Sequence, residues 1–134
     1  MADEKLPQGG MELRPARFPG RAPVDAYGNG GFRFADMSHQ GSMLFLPSGI
    51  YAWDMQSPSS FSLTAFSRIL EEADAIEVLL IGTGADLLPI APDLRSAFRE
   101  HRISADSMST GAAVRTFNVL LAEGRAVAAA LIAV

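Results

Sequence analysis

The chain has 134 residues, of which 49% are hydrophobic and 19% charged, with a formal net charge of −4. These values predict one folded domain with its own core and argue against a general nucleic-acid binder. The chain has no cysteine and a single lysine, Lys5 in a tail-like segment, which excludes disulfides and thiolate nucleophiles and disfavours common zinc sites and lysine-based catalysis.

The first 23 residues contain interspersed prolines and glycines and show no helical or alternating apolar pattern. We predict a mobile N-terminal arm over residues 1–23 and a single α/β domain over residues 24–134. The arm has no apolar segment typical of a secretory signal, and its acidic residues argue against a transit peptide. A solvated tail is the favoured interpretation. The alternative is a small basic patch facing an acidic partner or lipid headgroups, formed by Arg14, Arg17 and Arg21.

Residues 24–54 have the composition of β-structure. Alternation over Phe32–Phe34 and two compact apolar runs, Met43–Leu46 and Ile50–Trp53, predict strands. Pro47 and Gly49 between the two runs predict a tight turn, and hence an antiparallel meander. The glycines of Gly28–Gly31 are not followed by a helix pattern, so a flexible lead-in or a bulge is favoured over a phosphate loop.

The run Val78–Ile81 consists of four large apolar residues and stops at the Gly-Thr-Gly turn, Gly82–Gly84, as expected for a strand of a parallel sheet that is covered on both faces. A helix that begins after Pro58 is predicted to cover it. The second helix is predicted to begin at Pro92, and its inner face ends at His101. We interpret His101 as a partly buried or end-of-helix histidine, with a structural role favoured over catalysis. The apolar stripe of the first helix consists of Phe66, Ile69, Leu70 and Ala73.

The last part of the chain repeats the strand and helix alternation. Residues 103–108 predict a short strand, Ser109 the start of a third helix, and Gly124 its end. Residues 126–134 predict a final strand near the centre of the sheet. This run is about half as long as a membrane span requires.

Several co-linear motifs resemble one known family. They are a Gly-Ser-apolar strand ending in Pro-x-Gly and followed by a strand with Trp (residues 41–53), the Gly-Thr-Gly turn, and Met-Ser-Thr before a helix (residues 108–121). This order is similar to the family that contains the mitochondrial complex I assembly factor three and bacterial and archaeal homologues of unassigned function. The resemblance covers residues 24–134. It implies a three-layer α/β domain with a mixed central sheet, a β-hairpin or meander on the N-terminal side and about three helices.

A candidate ligand site lies where two strands end. If the strands ending at Ile81 and Met108 are parallel neighbours, their turns meet at the carboxyl edge of the sheet, where α/β proteins bind ligands. Arg95 or Arg115 could then complete an anion pocket with the third helix. Turn and cap roles are the favoured alternative, because Leu87 stands where a dinucleotide motif needs glycine. The candidate ligand-binding residues are Gly82, Thr83, Gly84, Ser109, Thr110 and Asn118.

Asn118 has a second interpretation of its own. Its amide lies on the apolar face of the third helix, so it serves either as a tie to a neighbouring backbone, which is favoured, or as the floor of a pocket.

The resemblance, together with aromatic residues on the hairpin, favours a non-catalytic protein-interaction domain of the assembly-factor type, linked to a membrane-bound respiratory complex. Core packing is expected to account for most of those aromatics. The alternative is a small-molecule or anion-binding protein that uses the site above. An enzyme, in which Asp86 or Asp106 meets Ser109 or Thr110, has less support.

The remaining expectations follow from this view. We name no catalytic residue, metal site or cofactor, and no nucleic acid as a partner. The expected partner is a protein, either a membrane complex or one of its assembly intermediates, and self-association is left open. We expect a bacterial-type protein that is not integral to the membrane and lies in the cytoplasm, either free or peripheral to the inner membrane.

Overall fold

The computed structural model describes residues 17–134. Its helices are α1 (Ser67–Glu71), α2 (Pro92–Glu100) and α3 (Thr110–Ala122). Its strands, in chain order, are β1 (Arg17–Phe18), β2 (Ala26–Gly28), β3 (Gly31–Phe34), β4 (Met37–Gln40), β5 (Met43–Leu46), β6 (Gly49–Ala52), β7 (Val78–Gly82), β8 (Ser104–Met108) and β9 (Val127–Leu131).

The strands form a six-stranded mixed sheet, ordered β1-β6-β5-β9-β7-β8, and a separate three-stranded meander, β2-β3-β4. The first three strands of the large sheet and β9 pair antiparallel, whereas β9, β7 and β8 run parallel. Three short 3₁₀ turns, at Pro58–Ser60, Thr64–Phe66 and Ala73–Ala75, surround α1.

Two cores lie on opposite faces of the large sheet. On one face, Phe66 of the α1 region and Phe98 of α2 pack against Leu79 and Ile81 of β7. On the other face, α3 and the three-stranded meander cover the sheet through a cluster that contains Phe32, Phe34, Phe45, Leu80 and Phe117. The three-layer α/β architecture with a mixed sheet is therefore as predicted.

The apolar run Val78–Ile81 is confirmed as an interior parallel strand, β7, which also includes Gly82. It lies between β8 and β9, and its residues from Leu79 onward are buried. Burial on both faces explains why the run does not alternate, because neither face contacts water. The final strand β9 is also central, and all five of its residues are buried.

Residues 17–23 belong to the segment predicted as an arm, and the structure places them on the domain. Strand β1 pairs with β6, Ala22 is buried, and the Arg21 guanidinium donates a hydrogen bond to the Val127 carbonyl. Residues 1–16, with Arg14 of the predicted basic patch, lie outside the described part of the chain, so the prediction of a mobile arm there stays a prediction.

The glycines after Tyr27 form a tight hairpin turn, which corrects the expected flexible lead-in or bulge. Asn29 and Gly30 connect β2 to β3, and both have a positive φ, 53° and 80°. Two successive residues in the left-handed region define the hairpin turn whose backbone twist matches the flanking strands, and Asn-Gly is its commonest sequence. The Asn29-Gly30 pair was therefore a signal for a tight hairpin turn, not for a flexible segment.

The first predicted helix is broken into short pieces. Its apolar stripe is confirmed, since Phe66 and Ile69 are fully buried. However, the Trp53 indole Nε1 donates to the Ala65 carbonyl at 2.9 Å, the group that a continuous helix would offer to the Ile69 N–H. The Ser62 hydroxyl also accepts from the Ala65 N–H at 3.3 Å. These local bonds compete with regular helix formation.

The ends of α2 and α3 follow the sequence signals. Pro92 is the first residue of α2, and Gly124, with φ 76°, ends α3. His101 does not lie on the inner face of α2 as expected. It is the exposed C-terminal cap, and its ring Nδ1 lies 2.9 Å from the Ala97 carbonyl, so the end-of-helix interpretation is confirmed.

Candidate functional site

The predicted juxtaposition at the carboxyl edge of the sheet is present. Strands β7 and β8 are parallel neighbours with Gly82 opposite Met108, so the Gly-Thr-Gly turn lies beside the start of α3. A Cβ on Gly82 would lie 3.0 Å from the Cα and Oγ1 of Thr110 and from a methyl group of Leu131. Glycine at this position allows the first turn of α3 to approach the end of β7 closely.

Thr110 joins three elements through hydrogen bonds and is completely buried. Its hydroxyl donates to the Ile132 carbonyl at 2.7 Å and accepts from the Gly84 N–H at 3.0 Å. Its own N–H donates to the Gly84 carbonyl at 2.8 Å. Thr110 therefore ties the turn after β7 to the end of β9 and to the first turn of α3.

Thr83 and Ser109 also bond to backbone groups. The Thr83 hydroxyl lies within 2.6 Å of the Asp86 carbonyl and 3.1 Å of the Met108 carbonyl, to either of which it can donate, and it accepts from the Leu88 N–H at 3.0 Å. The Ser109 hydroxyl caps α3 by accepting from the Ala112 N–H at 3.3 Å. Both side chains thus close local turns.

Asn118 lies apart from these residues and holds a different segment. Its amide accepts from the Val24 N–H and donates to the Val24 carbonyl, both at 2.9 Å. The two bonds fix the chain that leads into β2 against α3. The favoured interpretation of Asn118, a tie to a neighbouring backbone, is confirmed.

The start of α3 is also covered from outside. The Tyr27 hydroxyl lies directly against Gly111, so a side chain at position 111 would require the tyrosine to move. Tyr27 itself is 41% exposed, whereas Phe32, Phe34, Phe45 and Trp53 are buried. Most aromatics of the N-terminal β-region therefore belong to the cores, as expected, and Tyr27 is the exception.

The proposed anion site over Gly82–Gly84, Ser109 and Thr110 stays a prediction, and its geometry makes a clear test possible. An anion would have to compete with the hydrogen bonds just described for the same donors. If it does bind, it must stabilise the folded chain, by about 2.7 kcal/mol at a hundred times its dissociation constant. We expect no change in melting temperature with millimolar phosphate, sulfate or nucleotides. A rise that Ser109→Ala removes would establish the site instead.

Of the open depressions elsewhere on residues 17–134, one contains a histidine and another a cluster of arginines. The first, of about 270 Å³, is lined by the meander, including Tyr27, Arg33 and His39, and burial lowers the pKa of His39. The second, of about 350 Å³, runs beside β8 and is lined by Arg95, Arg99, Arg102, Ile103, Ser104 and Ala105. Of the two arginines considered for the anion site, Arg95 therefore lines this groove and Arg115 is exposed on α3. Sequence reasoning missed the groove, although arginines at i, i+4 and i+7 were a visible signal.

Among residues 17–134, no group of three His, Asp or Glu side chains is placed to hold a metal ion. No helix in that range is both long enough and apolar enough to cross a bilayer.

Comparison with known proteins identifies the family. Residues 24–132 match the model of a protein family of unknown function, DUF498/DUF598. The chain belongs to this family. The match spans the strands from β2 onward and every helix described above, so family membership applies to the whole domain and confirms the resemblance found in the sequence.

Relatives of this DUF498/DUF598 chain include named and unnamed proteins. An uncharacterized protein of Rhodobacter capsulatus is 37% identical over 122 residues, covering 91% of this chain and 93% of the relative. The NADH dehydrogenase [ubiquinone] 1 alpha subcomplex assembly factor 3 of Mus musculus is 29% identical over 130 residues, covering 97% of this chain and 70% of the relative. The family therefore includes both bacterial proteins and animal assembly factors.

Solved structures share the fold. A crystal structure described as an outer membrane protein from Bartonella henselae has 67% sequence identity and a TM-score of 0.83, covering 87% of this chain and 98% of that one. An NMR structure from Rhodopseudomonas palustris has 46% identity and a TM-score of 0.80, covering 93% of each chain. A Mth938-like domain from Bordetella pertussis has 26% identity and a TM-score of 0.75, covering 84% of this chain and 85% of that one.

Proposed function

We propose that this DUF498/DUF598 domain is a non-catalytic interaction protein that binds a membrane-bound respiratory complex, or intermediates of its assembly. The observation that carries the proposal is the relationship to the animal assembly factor, which extends over 97% of this chain. A similarity of that extent includes both cores and both sheets. The similarity therefore extends over the whole domain, which supports the proposal that this chain can present a partner-binding surface like that of an assembly factor.

The arrangement of polar side chains supports a binding role. The hydroxyls of Thr83, Ser109 and Thr110 bond to backbone groups, and the same is true of the Asn118 amide. Their first partners are therefore structural, whereas a catalytic site needs acids, bases or nucleophiles free to meet a substrate. This arrangement supports a function carried by groups on the outer surface of the domain.

Affinity capture from native membranes tests the proposal. The full chain with an N-terminal tag, expressed at its native level, is captured after solubilisation in a mild detergent, and bound proteins are identified by mass spectrometry. We expect subunits of a respiratory complex, such as a NADH dehydrogenase, to be enriched at least tenfold over a capture with an unrelated tagged domain of similar size and charge. The N-terminus is chosen for the tag because the Val134 carbonyl accepts a hydrogen bond from Gly30 at 2.7 Å.

Two readouts decide the outcome. Recovery of the tagged chain alone, from both soluble and detergent fractions, would contradict the proposal. Fractionation of the same cells locates the protein: the proposal places it in the cytoplasm or against the inner membrane, whereas the Bartonella structure is described as an outer membrane protein. Co-sedimentation with outer-membrane markers would therefore contradict the proposed partner as well as the proposed location.

A further inference from the structure

Strand β8 forms an edge of the large sheet and, within residues 17–134, pairs only with β7. The Ser104 N–H donates to the Glu77 carbonyl, and the Met108 carbonyl accepts from the Thr83 N–H, both at 2.9 Å. Alternate residues of a parallel strand face the same neighbour, so Ser104, Asp106 and Met108 bond to β7. The N–H and C=O groups of Ala105 and Ser107 then point to the free edge.

Three arginines follow this edge along its length. Arg95, Arg99 and Arg102 lie at i, i+4 and i+7 of the α2 segment, are exposed, and line the groove beside β8 together with Ala105. In the described part of the chain, no carboxylate lies within 4.0 Å of any of the three. The groove is therefore strongly positive on a chain whose net charge is −4.

Local structure does not explain this arginine cluster. Like charges at i and i+4 destabilise a helix, and Arg95 lies in the first turn of α2, where the helix dipole disfavours a cation. Arg102 has φ 63°, a left-handed conformation that usually selects glycine at a helix end. Arg99, in the last turn, is favoured by the dipole. Arg95 and Arg102 thus stand at positions where local preference favours other residues.

We propose that the β8 edge binds an extended acidic segment of a partner protein, which adds to the sheet as a further strand. The outward N–H and C=O groups of Ala105 and Ser107 would hydrogen-bond its backbone. Ala105 packs on the face covered by α2, so every second side chain of the added strand would face the arginines. The segment should therefore carry Asp or Glu at alternate positions. This inference rests on the proposed function, since it names the surface by which the domain binds protein.

A second copy of this chain fits the edge less well than an acidic partner. Antiparallel pairing of two β8 strands would place both α2 helices on the same face of the joined sheet. The arginines of the two copies would then approach one another, and like charges across an interface are unfavourable.

Peptide binding tests the proposed surface directly. The probe is a fluorescein-labelled eight-residue peptide of alternating Glu and Val, titrated with the full-length protein at low salt and followed by fluorescence anisotropy. We expect Arg99→Glu to weaken binding about tenfold, because repulsion replaces attraction. Arg115→Glu, the same change at an exposed arginine of α3, is the matched control and should leave the dissociation constant within twofold.

The hydrogen-bonding part of the proposal has its own controls. A peptide of the same sequence, N-methylated at alternate residues in either of the two registers, keeps its charge but loses donors to the edge, and one register should bind at least tenfold more weakly. Ser107→Pro removes an outward N–H without removing a bond to β7 and should have a similar effect. A Lys and Val peptide should not bind.

Arg102→Gly separates binding from folding. Glycine relieves the left-handed strain at this position, so the variant should melt about 3 °C higher than the parent chain. It should nevertheless bind the Glu and Val peptide several-fold more weakly, because one of the three cations is gone. A weaker binder that is also more stable cannot owe its loss of affinity to misfolding.

Four outcomes would overturn the proposed β8 surface, and a fifth would overturn the proposed function on which it rests. Absence of peptide binding would overturn the β8 surface. Affinity for both N-methylated peptides equal to that for the unmethylated peptide would also overturn it, because it would indicate a surface that binds anions without hydrogen bonds to the peptide backbone. Concentration-dependent dimerisation that Ser107→Pro abolishes would assign the edge to a second copy. If respiratory subunits are captured equally by the parent chain and Arg99→Glu, the interaction function stands and the β8 surface fails. If the peptide binds but no respiratory subunit is captured, the β8 surface stands and the proposed interaction with a respiratory complex fails.

Discussion

Replacing Phe45 with alanine is expected to lower the free energy of unfolding by about 3–5 kcal/mol. Phe45 is 1% exposed, and its ring lies 5.6 Å from that of Phe34 and 5.5 Å from that of Phe117, between ring centroids. These neighbours come from the meander and from α3, so Phe45 joins the large sheet to both elements that cover this face. Truncation would remove buried apolar surface and leave a cavity at the point where three elements meet.

Urea denaturation followed by circular dichroism measures the effect. Hydrogen exchange should also show faster exchange of the β2, β3 and β4 amides than in the parent chain, because the meander contacts the sheet through this cluster. Leu63→Ala is the matched control: Leu63 is 49% exposed, and its truncation should change stability by less than about 0.5 kcal/mol. A loss below about 1 kcal/mol for Phe45→Ala would contradict the packing described for this face.

The interior strands were predictable because burial on both faces leaves a direct trace in the sequence. Val78–Gly82 and Val127–Leu131 are continuous apolar runs, and each lies between two neighbours in the sheet. The strand β4 left no such trace. Its residues Met37–Gln40 are mostly exposed, and the turn before it uses Ala35 and Asp36 at φ 47° and 61° in place of the usual Asn-Gly.

The candidate site was predictable only in part, for a related reason. Strand order placed the Gly-Thr-Gly turn beside Ser109 and Thr110, because carboxyl ends of parallel neighbours share an edge. The partners of the side chains depend on long-range contacts that no local pattern specifies. Thr110 bonds to Ile132, 22 residues away, and Asn118 to Val24, 94 residues away. The arginine groove likewise could be interpreted as a binding surface only after the strand order had shown that β8 is an edge strand.

Thr110→Val is expected to lower the free energy of unfolding by about 2–4 kcal/mol. Valine has nearly the same shape but no hydroxyl, so the buried Gly84 N–H and Ile132 carbonyl would each lose a hydrogen-bond partner. An unpaired buried polar group costs about 1–3 kcal/mol, and neither group has an obvious route to water beside a residue with no exposed surface. Thermal and urea unfolding of the purified full chain measure the difference.

Two threonine variants make the result specific. Thr110→Ser keeps the hydroxyl and should retain most of the stability, losing about 1 kcal/mol for one buried methyl group. Thr116→Val removes a hydroxyl whose bond, to the Ala112 carbonyl at 2.9 Å, lies within α3 and is only partly buried, so its effect should stay below about 1 kcal/mol. Equal losses for Thr110→Val and Thr116→Val would contradict the role assigned to Thr110 in joining β7, β9 and α3.

The same variants separate structure from function at this edge. If Thr110 acts only by holding the elements together, Thr110→Ser should capture the same membrane partners as the parent chain at temperatures where both are folded. A loss of capture by Thr110→Ser, with the fold intact, would mean that the methyl group or the exact hydroxyl position contributes to a bound molecule. The Gly-Thr-Gly turn would then be part of a ligand site, in addition to joining the three elements that Thr110 links.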